Sequence, residues 1–288
     1  MRAIFKRELR AYFHNVTGFV FLAFMLLAAG GVCAGFNIFL GSSRFEDCLY
    51  YLQIALVIAI PLLTMRSFTD ERRGHTDQLL YSLPLPLWKI VLGKYLAMVA
   101  VFGVSCLIIA VFPLILTMFG MTSLGSAYSA LLAFFMLGAA LIALCTFLSS
   151  MTENSIVAMI LSVVGVLVLF LVDTFVTLFA PIGAVASLIV LVALAGLLAL
   201  AVFGVTKNWC FTGLVGVVLI LPQIVVFAIN SQLYDGLVYR VVSAIALFYR
   251  FSVFCSGIFD LTTIIYDLSV VALFLFLTWQ VMEKRRRA

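Results

Sequence analysis

Charge is scarce in this chain. Asp, Glu, Lys and Arg make up 10% of its 288 residues, where a soluble domain carries about a quarter. Histidine is scarcer still: only His14 and His75 are present, far apart, so there is no His-x-x-x-His pair of the kind that holds a catalytic zinc. No Gly-x-x-x-x-Gly-Lys-Ser/Thr phosphate loop occurs, and the chain is not expected to bind or hydrolyse ATP itself. No Gly-x-Ser-x-Gly elbow occurs either. A membrane-embedded enzyme would have no catalytic constellation to stand on, and neither a cofactor nor a metal is expected. Cys33, Cys48, Cys106, Cys145, Cys210 and Cys255 lie mostly in apolar runs without paired spacing. They read as small buried hydrophobes rather than as a metal site or disulfide framework.

What fills the chain is apolar: 66% of the residues are hydrophobic, against roughly half in soluble domains. The expected fold is an all-α polytopic membrane protein, a single membrane-spanning domain over 1–288 with no soluble stretch long enough to fold alone. A span takes about 20 apolar residues. Eight fit the sequence, at about 16–40, 49–66, 87–119, 126–149, 155–179, 183–205, 209–229 and 262–282. A six-span arrangement, with 183–229 outside the bilayer or re-entrant, is the second choice because it strands two long apolar runs. The third run exceeds a bilayer's need, so its first turns, with Lys89 and Lys94, are expected to project into water. Pro61, Pro113 and Pro222 fall within spans and are expected to kink them. The first apolar run continues too far, without a cleavage site, to read as a signal peptide.

Charge distribution sets the orientation. With both ends cytoplasmic, fourteen of the seventeen Lys and Arg residues lie inside, leaving Arg44, Arg240 and Arg250 outside. The net charge of +5 is thereby a matter of topology, and no nucleic-acid partner is implied. Residues 1–15 read as an amphipathic helix lying in the membrane interface. Ile4, Phe5, Leu9, Tyr12 and Phe13 recur at helical spacing, and Arg2, Lys6, Arg7 and Arg10 take the other face. The alternative is a plain basic flank of the first span.

The longest polar interruption is 66–94. Arg66, Asp70, Glu71, Arg72, Arg73, His75 and Asp77 cannot sit cheaply in hydrocarbon. Thr76 suits a helix cap, Asp77 its first turn, and Leu79 with Leu80 an apolar side. Pro84 and Pro86 stop that short helix and start the next. It reads either as a handle for a soluble partner or as an ordinary hydrophilic loop. Residues 230–260 are interrupted by Asn230, Gln232, Asp235, Arg240, Arg250 and Asp260, yet Leu237, Val238, Val241, Val242, Ile245 and Phe248 form a helical stripe. An outer amphipathic helix or re-entrant pair is expected. Among polar residues in spans, Asp173 is the most expensive. It stands about 27 Å along its helix from Ser155 at 1.5 Å per residue, near the outer interface. A solvated carboxylate at the span end is preferred to a contact on a polar substrate path.

Asp70-Glu71-Arg72-Arg73, then Thr76-Asp77-Gln78-Leu79-Leu80, Ser82-Leu83-Pro84 and Trp88-Lys89-Ile90-Val91-Leu92-Gly93-Lys94 resemble the permease subunits of ABC-2 type transporters. The gliding-motility-type branch is the most similar. Arg250-Phe251, Ser256 to Leu261, Tyr266, Leu273 to Thr278 and Lys284 to Arg287 carry the resemblance to the C-terminal part. His75 stands where that family usually has Gly, which puts the turn there in question. The resemblance implies a six-span core, to which 181–229 adds a helical hairpin. It also implies a cytoplasmic coupling segment over 66–86 that docks on a separate ATPase through Thr76, Asp77, Leu79, Leu80, Ser82 and Leu83. Outer helices before the last span, with Arg240, Arg250 and Asp260, would close the exit path. The implied function is the permease of an ATP-driven exporter in a bacterial plasma membrane. Its expected partners are the ATPase, a second or paired permease, and membrane lipid. A secondary transporter, which would need matched halves and intramembrane ion ligands, or a non-transporting scaffold is the alternative.

Overall fold

The structure is a computed structural model. It describes residues 2–14, 16–42, 44–74, 86–118, 123–179, 183, 185, 187–192, 218, 222–223, 227, 235 and 237–287. Every element among them is helical. Six helical stretches are long and apolar enough to cross a membrane: Val16–Phe39, Phe45–Arg73, Leu87–Met118, Leu124–Met151, Ser155–Val176 and Leu261–Arg286. The first five and the last of the eight expected spans correspond to these. The hairpin expected over 181–229 lies mostly outside the described residues.

The chain divides into two compact units, Met1–Phe170 with Leu247–Ala288, and Leu171–Ala246. The first begins with α1 (Arg2–His14) and α2 (Val16–Cys33). A π-helical turn, Ala34–Phe39, widens the end of α2. Gly41 then reverses the chain at φ 66°, in the left-handed region that favours glycine. Asn37 closes the reversal by donating to the carbonyls of Ser42 (3.0 Å) and Arg44 (3.3 Å). α3 (Phe45–Thr64) follows. Its Phe45, Leu49, Leu52, Leu56, Ile60 and Leu63 are fully buried at helical spacing. The helix runs on through Pro61 without a break, and after Met65 the chain stays helical as α4 (Arg66–Arg73).

α5 (Leu87–Ile109) begins directly after Pro86, whose missing N–H and fixed φ suit a helix start. It gives way at Ala110 to α6 (Val111–Met118), so the third span is interrupted just before Pro113, the residue that cannot donate to the preceding turn. α7 (Leu124–Met151) is the most enclosed span. α3, α5, α10 (Leu247–Cys255) and α11 (Leu261–Arg287) all pack against it. Small residues permit that approach: a Cβ on Gly138 would collide with the Phe102 ring of α5. Phe102, Phe134 and Phe251 form a continuous aromatic seam through this centre. α1 reaches the bundle in the same way, with Ile4 3.0 Å from where a Gly93 Cβ would stand.

The second unit holds the end of α8 (Ser155–Phe179), where Asp173 and Val176 are buried, and α9 (Leu237–Ile245). The apolar stripe Leu237 to Phe248 falls on two short helices, α9 and α10, separated at Ala246.

Candidate functional site

One end of the first unit carries a buried cluster of charge. Lys94, on the second turn of α5, was expected to project into water. It is instead only 2% exposed. The physical reason is local. Leu87, Ile90, Val91, Lys94, Ala97 and Met98 share the buried face of α5, and Lys94 is at that phase. Its ammonium lies 2.9 Å from Glu71 of α4 and 3.6 Å from Glu8 of α1. It also donates to the Ser67 carbonyl at 2.6 Å and sits 5.1 Å from the Phe68 ring centre. Arg7 closes the cluster from the solvent side, reaching Glu8 at 2.6 Å and Glu71 at 3.0 Å. Two cations thereby face two carboxylates, which satisfies the requirement that a buried charge be paired and hydrogen-bonded. The hydrogen bond to Glu8, outweighing partial burial, raises the Arg7 guanidinium above its ordinary value. Beside it Tyr12 donates to the Leu63 carbonyl at 3.2 Å, and burial, with the Glu8 charge adding to it, pushes its phenol upward.

The location of this cluster matters more than its strength. α4 ends at Arg73 and α5 starts at Leu87, so Glu71 and Lys94 stand on the two stems of the segment 75–85. Both stems are tied to each other and to α1. Arg72 extends the frame by donating to the Thr152 carbonyl between α7 and α8 at 3.0 Å. Arg285, near the end of α11, donates to the Met151 carbonyl at 2.9 Å and lies 3.5 Å from Glu153. The start of the chain, both stems, the α7–α8 connection and the end of α11 therefore meet at one end of the bundle. Thr76, Asp77, Leu79, Leu80, Ser82 and Leu83 themselves lie outside the described residues.

The opposite end of α3, about 30 Å away by its 20 residues, holds other predicted residues. Arg44 donates to the Cys255 carbonyl at the end of α10 at 2.6 Å. Arg250 of α10 stacks 4.1 Å from the Tyr266 ring centre of α11. Asp260 caps α11, accepting from the Thr262 N–H and the Thr263 hydroxyl, both at 2.9 Å. Hydrogen bonds from Thr262, through its side chain first and then its N–H, and from Thr263 hold the Asp260 carboxyl below the usual carboxylate range. Arg250 and Asp260 are not joined to each other by an ion pair among the described residues, and Arg240 belongs to α9 in the second unit. Asp173 is 8% exposed, more enclosed than a solvated span end.

Sequence reasoning gave Glu8 and Asp267 no site role and placed Lys94 in water. Asp267, two turns into α11, is 3% exposed, and its Oδ1 accepts no hydrogen bond. The missed signal was phase. Glu8 falls between Ile4 and Tyr12 on the apolar side of α1, and Lys94 falls on the apolar side of α5. A charge at an apolar phase points to a buried partner. Among the described residues no group of His, Cys, Asp and Glu could hold a metal ion.

Comparison with curated proteins and with solved structures yields no match. The sequence does match the profile of a family described as ABC-2 family transporter protein over residues 5–190, a range that takes in α1 from Phe5 onward, five of the six candidate spans and every member of the Arg7–Glu8–Glu71–Lys94 cluster. The chain is a multi-pass membrane protein and belongs to the ABC-2 transporter family, as an ABC permease.

Proposed function

We propose that this permease is driven by a separate ATPase subunit that docks on Thr76, Asp77, Leu79, Leu80, Ser82 and Leu83, and that it works as an exporter. The observation that carries the reading is the Lys94 cluster. A push on a flexible loop dissipates, whereas a push on a segment whose two stems are fixed to one another moves the helices behind them. α4 continues α3, and α5 is the third span, so force on 76–83 is delivered to two spans and to α1 together. Asp77 and the adjacent leucines supply the docking face, and His75 replaces the usual glycine at its edge.

In this reading α1 lies in the membrane interface and both termini are cytoplasmic, as the bias of Lys and Arg requires. The helix contacts are compatible with it: α1, the α7–α8 connection and the end of α11 gather on one side, as an even number of crossings between them demands. The hairpin 181–229 adds two spans to a six-span core. Arg240, Arg250 and Asp260 belong to an outer closing region, with Asp173 on a polar path. The permease acts as a dimer or with a paired permease in a bacterial plasma membrane, surrounded by lipid.

The test is co-purification of an ABC ATPase subunit co-expressed with the permease. Leu79→Asp with Leu80→Asp puts two charges into an apolar contact and should abolish recovery of the ATPase, while insertion of the spans persists. Val241→Asp with Ile245→Asp, on exposed positions of α9, should leave recovery intact. Wild-type recovery with the first pair would reduce 76–83 to an ordinary loop.

A further inference from the structure

Beside the charged frame runs a long apolar groove between α5 and α7, of about 1010 Å³. Its lining includes the small residues Ala100 and Gly103 together with Leu96, Leu107 and Leu132. Leu96 to Leu107 covers eleven residues, about 16 Å of helix rise. That is close to half the ~30 Å hydrocarbon thickness of a bilayer, the depth of one leaflet. Phe5 of α1 closes the groove at one end, and Tyr128, which donates to the Ala110 carbonyl at 3.3 Å, stands at the other. Next to Phe5 on α1, a second recess is lined by Lys6, Arg7, Arg10, Ala11 and His14, with no acidic residue. Among the described residues, Arg7 and Glu8 make the ion pairs of α1. Lys6 and Arg10 are exposed and have no acidic partner among the described residues.

We propose that this groove is a binding site for one phospholipid with an anionic headgroup. Its acyl chain lies along Ala100, Gly103 and Leu107, and its phosphate meets Lys6 and Arg10. The match is threefold. The groove is one leaflet deep, its lining is apolar along its length, and the exposed cations Lys6 and Arg10 stand on α1, the helix whose Phe5 closes its end. An acyl chain needs no hydrogen bonds from α5 or α7, while an anionic headgroup supplies what Lys6 and Arg10 lack. The proposal rests on α1 lying in the membrane interface and is independent of ATPase docking, because the site is complete in the permease alone.

The experiment uses the full chain in phosphatidylcholine vesicles carrying a minor fraction of a photoactivatable phosphatidylglycerol or, in parallel, a photoactivatable phosphatidylcholine. Adducts are mapped by peptide mass spectrometry. Phosphatidylglycerol should label α5 and α7 around Gly103 well above phosphatidylcholine. Lys6→Gln with Arg10→Gln should lower that preference about tenfold, since each basic residue near an anionic surface is worth several-fold in binding. Gly103→Leu should abolish labelling with either lipid by filling the groove. The backbone there accepts a side chain at its first atom, since a Cβ meets only the Phe135 ring at 3.5 Å. Equal labelling by the two lipids, labelling unchanged in both variants, or cross-links from these helices to a second copy of the chain would overturn the proposal. A nitroxide at position 14, relaxed by nickel chelated to lipid headgroups, reports separately whether α1 lies at the membrane surface. Failure of that reading is thereby told apart from failure of the lipid site.

Discussion

The two ends of the first unit bury charge in opposite ways. At the α1 end, Lys94, Glu71, Glu8 and Arg7 are drawn together within 2.6–3.6 Å, and Lys94 adds a backbone carbonyl. At the other end, Asp267 and Arg250 are the neighbouring charges, yet no ion pair joins them, and both Asp267 Oδ1 and Arg250 Nε are buried without a hydrogen bond. A closed network resists rearrangement because breaking any member leaves a desolvated charge behind. An open one has little to lose by moving, and something to gain if movement brings water or a partner to the orphan atoms. The comparison assigns rigidity to the α1 end and latitude to the end where α10 meets α11.

The largest effect should come from breaking the closed network. Lys94→Met keeps the apolar stem but leaves Glu8 and Glu71 with Arg7 alone. It should cost about 3–5 kcal/mol, the range for removing one partner of a buried pair, seen as a lower unfolding midpoint of the purified protein. A loss well under 1 kcal/mol would mean that the cluster is solvated and slack. At the open end the sign should reverse. Asp267→Asn removes a desolvated charge at nearly constant shape and should stabilise by about 1 kcal/mol. Destabilisation comparable to Lys94→Met would show that Asp267 has a partner in the membrane and that the contrast between the ends is false.

The smallest effect concerns Asp260, and it depends on pH. Its carboxyl is held below the ordinary range by Thr262 and Thr263. A folded value below the unfolded one means that the charged cap stabilises above the unfolded value, near about 4. That contribution is lost as pH falls through the folded value. Asp260→Ala should cost about 1 kcal/mol at neutral pH. Asp260→Asn should keep most of the cap while removing its acid sensitivity, which unfolding midpoints measured from neutral pH to about pH 2 would reveal.

Much of the fold was legible because hydrophobic length and periodicity are strong signals. The stripe Phe45, Leu49, Leu52, Leu56 and Ile60 announces a buried face, and Pro86 announces the start of α5. The Arg66–Arg73 stretch was harder. Its charges argued for a loop leaving the membrane, but helix continued through it because Glu71, Arg72 and Ser67 found partners on α5, α1 and the α7–α8 connection. Tertiary pairing overrode local polarity. Lys94 was misjudged for the same reason: its partners are 23 and 86 residues away, Glu71 and Glu8, and composition does not reveal such distances. Asp260 reads as a gate residue from family likeness, and its hydrogen bonds add the role of helix cap. The docking residues 76–83 rest on the motif alone.

The central claim is that the Lys94 cluster transmits force from the proposed docking segment to the far end of the bundle. The direct measurement is made on the assembled permease–ATPase complex, with native cysteines replaced and a single cysteine introduced at exposed Ile258. The rate of maleimide labelling is compared with and without a non-hydrolysable ATP analogue. The wild-type frame should show a nucleotide-dependent change in labelling rate. Lys94→Met should bind the ATPase in normal yield yet lose that change. If Lys94→Met keeps both ATPase binding and the full nucleotide response at position 258, the cluster is a structural anchor and does not carry the stroke.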